Sequence, residues 1–514
     1  MRISPSTTFG AEMSVCGMAK CFMKGLWSLG EWYDAHGWRR RGRAYARRPH
    51  AAPLTRAGGA CAGSRPANAF HPSGRGCAAR ADLPSVDQVT TPFPSSHVPA
   101  EAPRRQKAGA RITLTLASLA MIGPFTIDTV FPAFVRIGDE FGGDDIALQQ
   151  LISAYLAAFA IMSVLHGPLS DALGRKKVMI GGLTIYLIGM FGAVLAPTLG
   201  SLILLRVMQG MSAGAATIVS RVVIRDMFSG SEAQRLMARV MMIFSVAPAI
   251  APILGGWLLL LGDWRWVFAG VGLYGLLVLV ATTRLPETLP REARTPLRVG
   301  SLLGSLLHVG RSPVMLRVAA ASAFGFASQF VFIAGASIVV VRLLGLGEQD
   351  FWVLFLPLIL GMTSGAWLVG RAADVMDRAR LITIGFVGAV LSTGLNLLLV
   401  SIAPPFTGGL SWSLLLAVSG PMLIAFSVAL LFAPIQLEVL DLFPHERGAA
   451  ASLGTFFGLV LNALLAGVVA PLVTASLQVL ALTALCFAVL GTALWSWHLR
   501  AVRAPQEIRV HEPS

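Results

Sequence analysis

Gly167-Pro168-Leu169-Ser170-Asp171-Ala172-Leu173-Gly174-Arg175-Lys176-Lys177 lies between two long apolar runs. A polar, cationic knot of this kind is costly in hydrocarbon, so it belongs at a membrane surface and marks the side that faces the cytoplasm. A fainter copy, Gly370-Arg371-Ala372-Ala373-Asp374-Val375-Met376-Asp377-Arg378, follows another apolar run in the second half of the chain. Gly370, Asp374 and Arg378 keep the spacing of Gly167, Asp171 and Arg175. Such a duplication indicates a membrane protein built from two related halves, as many secondary transporters are.

Composition agrees. Apolar residues make up 55% of the chain and charged residues only 13%, where soluble domains carry about 25% charge. The net charge of +15 is unevenly spread, since residues 1–110 hold 16 Lys and Arg against 6 Asp and Glu. Basic loops beside anionic lipid account for the rest, and no nucleic-acid partner is needed. Residues 1–110 are rich in Ala, Arg, Gly, Pro and Ser, with no apolar stretch long enough to span and no convincing signal peptide. They are expected to form a disordered basic extension, with a regulatory or targeting tail as the alternative.

From Arg111 onward, apolar runs of about 20 residues alternate with short charged breaks, each long enough to cross as a helix. The expected spans are 112–135, 148–166, 178–196, 202–224, 236–261 and 267–283, then 314–341, 351–370, 381–402, 410–432, 449–470 and 476–497. The expected fold is therefore all-α: twelve transmembrane helices in two pseudo-symmetric six-helix bundles, 111–284 and 314–500. A basic cytoplasmic connector, 285–313, joins them and a short tail, 501–514, follows. Breaks after spans two, four, six and eight carry Arg175, Lys176, Lys177, Arg225, Arg235, Arg284, Arg291, Arg371 and Arg378, and the connector adds Arg294, Arg298 and Arg311. The opposite breaks are acidic or neutral, with Arg265 and Arg342 as exceptions. The positive-inside rule then puts both termini in the cytoplasm.

Asp128 is the leading site candidate. It sits in the first span within Gly123-Pro124-Phe125-Thr126-Ile127-Asp128-Thr129-Val130-Phe131-Pro132. A charge at mid-bilayer costs about 2.5–3.5 kcal/mol on insertion scales, so it must face a cavity or a partner. Loss of water favours the neutral form of a carboxyl group, which suits one that takes and releases a proton. The alternative is an interior acid held by hydroxyls or backbone. Arg206 in the fourth span is the natural cationic counterpart, able to pair with Asp128 or to hold relay water, or else to cap helix ends. Gly167, Asp171, Gly174, Arg175 and Lys176, with Gly370, Asp374 and Arg378, read as a conformational latch: glycine allows a tight turn, and Asp171 can cap a helix or meet a cation on a facing one. Pure topogenic signalling is the plainer reading. In the fifth span Pro248, Pro252, Gly255 and Gly256 combine bending with a flat face for close packing. Phe125, Phe131, Tyr155, Gln329 and Phe330 are candidates for a substrate cavity, although aromatic residues in such helices more often pack.

A phosphate-binding Gly-x-x-x-x-Gly-Lys-Ser/Thr, a His-Glu-x-x-His and a Cys-x-x-Cys are all missing from the sequence. Neither a metal, a cofactor nor an enzymatic role is expected.

With these motifs in place, 111–500 resembles the major facilitator superfamily. It is similar to its drug:proton antiporters, in the bicyclomycin-resistance and chloramphenicol-efflux (Bcr/CflA) branch. The likeness rests on Asp128 with Pro132, Arg206 with Gln209-Gly210, the run from Arg221 to Phe228, Ala251-Pro252 to Gly255-Gly256, Trp264-Arg265-Trp266-Val267-Phe268 and Leu285-Pro286-Glu287-Thr288-Leu289. It implies alternating access in an inner membrane, a monomeric unit, and export of small lipophilic or cationic substrates in exchange for protons. By that analogy Asp128 is the proton- and substrate-linked acid, Arg206 serves proton coupling and Asp171 belongs to the latch. The antiporter pattern has Gly before the position of Pro252, where this chain has Ala251. A proton-coupled importer and a non-transporting membrane sensor or scaffold are the competing functions.

Overall fold

The computed structural model describes residues 109–510, apart from 229, 295–298, 373, 374, 404–411 and 445. The expected extension over 1–108, Asp374, Arg298 and residues 511–514 therefore lie outside the described residues. Among the described residues all regular structure is helical. Among the described residues eleven helices are long and apolar enough to cross a membrane, and the 29-residue helix Gly230–Leu258 occupies the place of the expected fifth span.

The first span, Ala110–Phe141, is composite. Its helix Ala110–Asp128 stops, a 3-10 turn Phe131–Ala133 intervenes, and Phe134–Phe141 resumes. Pro132 explains the stop, because it offers no N–H to the carbonyl four residues back, which is that of Asp128, and its ring crowds that oxygen. The second and third spans, Asp145–Leu173 and Arg175–Val194, are separated by Gly174 alone. Leu199–Met227, Gly230–Leu258 and Arg265–Thr283 complete the first bundle. Asp144 starts the second span by accepting from Ala147 N at 2.8 Å, and Thr198 with Ser201 forms a capping box for the fourth.

The second bundle comprises Pro313–Ala334, Trp352–Ala372, Arg378–Ile402, Trp412–Leu442, Arg447–Val473 and Leu477–Val510. Its last helix runs through the start of the expected tail. The connector also differs from a plain basic loop, because it holds the helix Val299–Gly310. Val309 of that helix is fully buried in a cluster with Ile435, Ala450 and Trp495.

Successive spans alternate in direction, so the basic breaks gather at one end and the acidic breaks at the other. The two bundles are hydrogen-bonded to each other toward the acidic end. Gln149 Nε2 donates to Ala334 O at 3.0 Å, Gln150 Nε2 to Gly467 O at 3.1 Å, and Ser153 Oγ to Ala463 O at 2.9 Å. All three donors lie near the acidic end of the second span.

Candidate functional site

Asp128 ends the first helix and is 4% exposed. No hydrogen bond or ion pair holds its carboxylate among the contacts of the described residues. Around it, Thr126 Oγ1 donates to Ile122 O at 2.6 Å and shares a 2.5 Å hydrogen bond with Tyr186 OH. Thr129 Oγ1 donates back to Phe125 O at 2.5 Å. These hydroxyls bond to their own helix or to Tyr186, which leaves Asp128 as the free polar group of the segment.

Arg206 is fully buried. Its Nε donates to Leu151 O at 2.9 Å, and its Nη1 donates to Thr126 O at 3.2 Å and to Gln209 Oε1 at 3.0 Å. Gln209 is fixed in turn by donating from Nε2 to Gly189 O at 2.9 Å. The guanidinium also sits 4.8 Å from the ring centroid of Tyr155, a favourable place for a desolvated cation. Nη2 is buried with no partner. Arg206 thus forms no ion pair with Asp128, but grips the backbone two residues before it, at the C-terminal end of the helix where the dipole favours a cation. Gly210 makes this possible: a Cβ there would collide with the main-chain oxygen of Tyr155.

At the basic end, Arg175 is the centre of a polar cluster. It is 8% exposed and pairs with Asp171 Oδ1 at 2.5 Å and with Asp226 Oδ2 at 3.1 Å. Nη1 also donates to Ser170 Oγ at 2.6 Å, and its backbone N–H donates to Glu287 Oε1 at 3.0 Å. Asp226 further accepts from Thr288 Oγ1 at 3.0 Å. So it is Arg175, and not Asp171, that reaches a facing helix, while Asp171 pairs one turn along. Gly174 has φ +103°, a conformation that favours glycine. Gly167 is different: it lies inside the second span with nothing within 4 Å of a Cβ, so no turn requires it there. Gly370 has the same open surroundings. Among the described residues Lys176 has no ion-pair partner. In the second bundle Arg378 pairs with Asp441 at 2.5 Å and Glu438 at 3.4 Å. Arg175 to the end of span four and Arg378 to the end of span ten are thus matching links, one per half. Sequence reasoning missed Asp226, Glu287 and Ser170 as partners of Arg175; Asp226 and Glu287 stood among the resemblance motifs with no role attached.

In the fifth span both prolines lie within one continuous helix. A Cβ on Gly255 would strike the main-chain oxygen of Thr129 and come within 3.3 Å of Pro132 Cγ. One on Gly256 would lie 2.7 Å from the main-chain oxygen of Glu348, in the second bundle. This face closes against both the break beside Asp128 and the opposite half.

The five cavity candidates are not gathered in one place. Phe125 packs on Tyr274 at 4.9 Å between ring centroids, Phe330 on Phe326 at 5.9 Å, and Phe131 faces Phe355 of the second bundle at 6.3 Å. Tyr155 OH donates to Gly123 O at 3.3 Å, so it is committed to the first bundle. Gln329 is fully buried with neither amide atom partnered. The string Gly210-Met211-Ser212-Ala213-Gly214 has the spacing of a nucleophile elbow, yet it is mid-helix, and Ser212 Oγ donates to Met208 O at 2.8 Å. Among the described residues no group of His, Cys, Asp and Glu is placed to hold a metal.

A sequence profile described as Major Facilitator Superfamily matches residues 116–466. An uncharacterized MFS-type transporter, YdgK, of Bacillus subtilis is 30% identical over 297 residues, 57% of this chain and 74% of that one. A bicyclomycin resistance protein homolog of Haemophilus influenzae is 26% identical over 299 residues, 58% of this chain and 75% of that one. Further relatives are named for multidrug and chloramphenicol resistance. Among solved structures, the xylose transporter XylE of E. coli superposes with a TM-score of 0.60 at 14% identity, over 76% of this chain and 97% of that one.

Proposed function

This chain belongs to the major facilitator superfamily, with relatives of the bicyclomycin- and chloramphenicol-resistance type, and from that premise we propose that it exports small lipophilic or cationic compounds in exchange for protons. The observation that carries the proposal is Asp128: a carboxylate 4% exposed, without a partner among the described residues, at the break in the first span. A buried carboxylate is stable there when it holds a proton or faces a cation, and poorly otherwise. Protonation from one side and displacement by substrate from the other couples the two fluxes. Arg206 acts in this reading through the backbone it holds at Thr126 O, two residues before Asp128, and not through an ion pair. One proton exchanged for a neutral substrate gains about 2.3 kcal/mol per 100 mV of membrane potential, whereas one exchanged for a monovalent cation moves no net charge and is driven by the pH difference alone.

In this reading the protein works as a monomer in the cytoplasmic membrane, with both termini and the connector in the cytoplasm and the acidic end outside. Residues 111–284 and 314–500 rock against one another, the Arg175 and Arg378 links hold the basic ends of the bundles, and the Pro248 to Gly256 face seals the path beside Asp128. Transport of a lipophilic cation such as ethidium, driven by an imposed pH gradient in everted vesicles, tests it. Asp128→Asn is expected to abolish gradient-driven movement while the amount of protein in the membrane stays normal. Unchanged export by Asp128→Asn would remove the coupling role, and proton-driven movement out of the vesicles would make the protein an importer.

A further inference from the structure

Four charged residues at the acidic end are paired crosswise between the bundles. Arg136, near the end of the first span, donates to Glu348 from Nε at 3.0 and 3.2 Å and from Nη2 at 2.6 Å. Arg342, at the end of the π-helical turn Ile338–Leu343 that follows the seventh span, pairs with Asp145 at the start of the second. Each half thus contributes one cation and one acid.

The arrangement follows the internal duplication. Asp145 and Glu348 differ by 203 positions, the same shift that carries Arg175 onto Arg378. Arg136 and Arg342 differ by 206, because eight residues separate Arg136 from Asp145 and five separate Arg342 from Glu348. The two contacts are therefore pseudo-two-fold mates: a patch meets its own copy, as in an isologous dimer interface. They also explain why Arg342 interrupts the charge bias of the acidic loops.

The mates are unequal. Arg136 also donates from Nη1 to Leu259 O at 2.9 Å and to Gly262 O, at the end of the fifth span, and Gly256 packs on the Glu348 backbone. Its side chain is 32% exposed and that of Glu348 19%, whereas Arg342 is 64% exposed. A bidentate, backbone-anchored pair holds well; an exposed one is weakened by water and salt.

We propose that Arg136–Glu348 and Asp145–Arg342 form a double clasp that holds the acidic end shut and parts once in every transport cycle, with Arg136 as the dominant positioning residue. The clasp deepens the alternating-access reading above and rests on it.

Paired spin labels test it without substrate or gradient. Ile146 and Leu472, 53% and 68% exposed at the acidic ends of spans two and eleven, are changed to cysteine. Cys16, Cys21, Cys61, Cys77 and Cys486 are changed to serine, and the label distance is measured on the full chain in lipid nanodiscs. The short distance is expected to dominate. Arg136→Gln is expected to shift the closed-to-open ratio by roughly ten- to hundredfold, the loss of a charge-assisted bond, and Arg342→Gln by less than about fivefold. Glu348→Gln should shift the ratio in the same direction but by less, because Arg136 keeps its bonds to Leu259 O and Gly262 O, and Arg136→Lys should keep the short distance more populated than Arg136→Gln does. An unchanged distribution in both Arg136→Gln and Glu348→Gln overturns the clasp. A distance shift in a protein that moves no substrate would leave the clasp standing and overturn the transport reading instead.

Discussion

Arg206 donates from Nη1 to the main-chain oxygen of Thr126 at 3.2 Å, two positions before Asp128. One guanidinium thereby ties span four to spans one and two, since Nε reaches Leu151 O as well. A lysine keeps the charge but offers a single point in place of the planar fork. Arg206→Lys is expected to lose at least one charge-assisted bond, about 1.5–3 kcal/mol, and to slow gradient-driven transport roughly ten- to hundredfold. Initial rates in proteoliposomes decide this, with a melting curve to confirm folding. Full activity in the lysine variant would mean that charge alone suffices.

Gly167 and Gly174 should respond oppositely to alanine. At Gly174, φ +103° with ψ 143° is a conformation that side chains avoid. A Cβ there would also lie 2.6 Å from Glu287 Oε2. Gly174→Ala should cost about 1–3 kcal/mol of stability. Gly167 is helical and has open space around it, so Gly167→Ala should be neutral or stabilising by about 0.5–1 kcal/mol. Thermal melting of the purified variants checks both signs.

The acids around Arg175 should differ in weight. Asp226 is 24% exposed and joins Arg175 to Thr288, while Asp171 is 46% exposed and pairs within its own turn region. Asp226→Asn is expected to cost about 1.5–3 kcal/mol, and Asp171→Asn less than about 1 kcal/mol. Melting in matched detergent separates them. The reverse order would make Asp171 the weightier partner of Arg175.

What could be read from sequence alone follows from how local each signal is. Asp128 announced itself because a charge in an apolar run has few places to go, and Pro132 four residues on fixed the break at that same residue. Alternation of apolar runs and basic breaks carried the twelve helices. Arg206 was found for the same reason as Asp128, but its partners were not: they are carbonyls of Leu151 and Thr126, which no residue identity encodes. Asp226 and Glu287 meet Arg175 across 51 and 112 positions, and such pairings are chosen by helix packing. The connector helix Val299–Gly310 was hidden because it is too short to span and its neighbours are basic.

Gly255 tests whether the fifth span seals the path beside Asp128. A Cβ at this position meets the Thr129 main-chain oxygen and the Pro132 ring, neither of which can rotate away, so the helix itself must retreat. Overpacking of this kind typically costs about 1–3 kcal/mol. Gly361→Ala is the control, because its Cβ would strike the Met422 main-chain oxygen, far along the chain from the break and wholly within the second bundle. Both variants should melt earlier than the parent. Only Gly255→Ala should raise proton leak, read with a pH dye in substrate-free proteoliposomes, by several-fold. Equal leak from the two variants would mean that general loosening, and not a seal at the Asp128 break, controls the proton path.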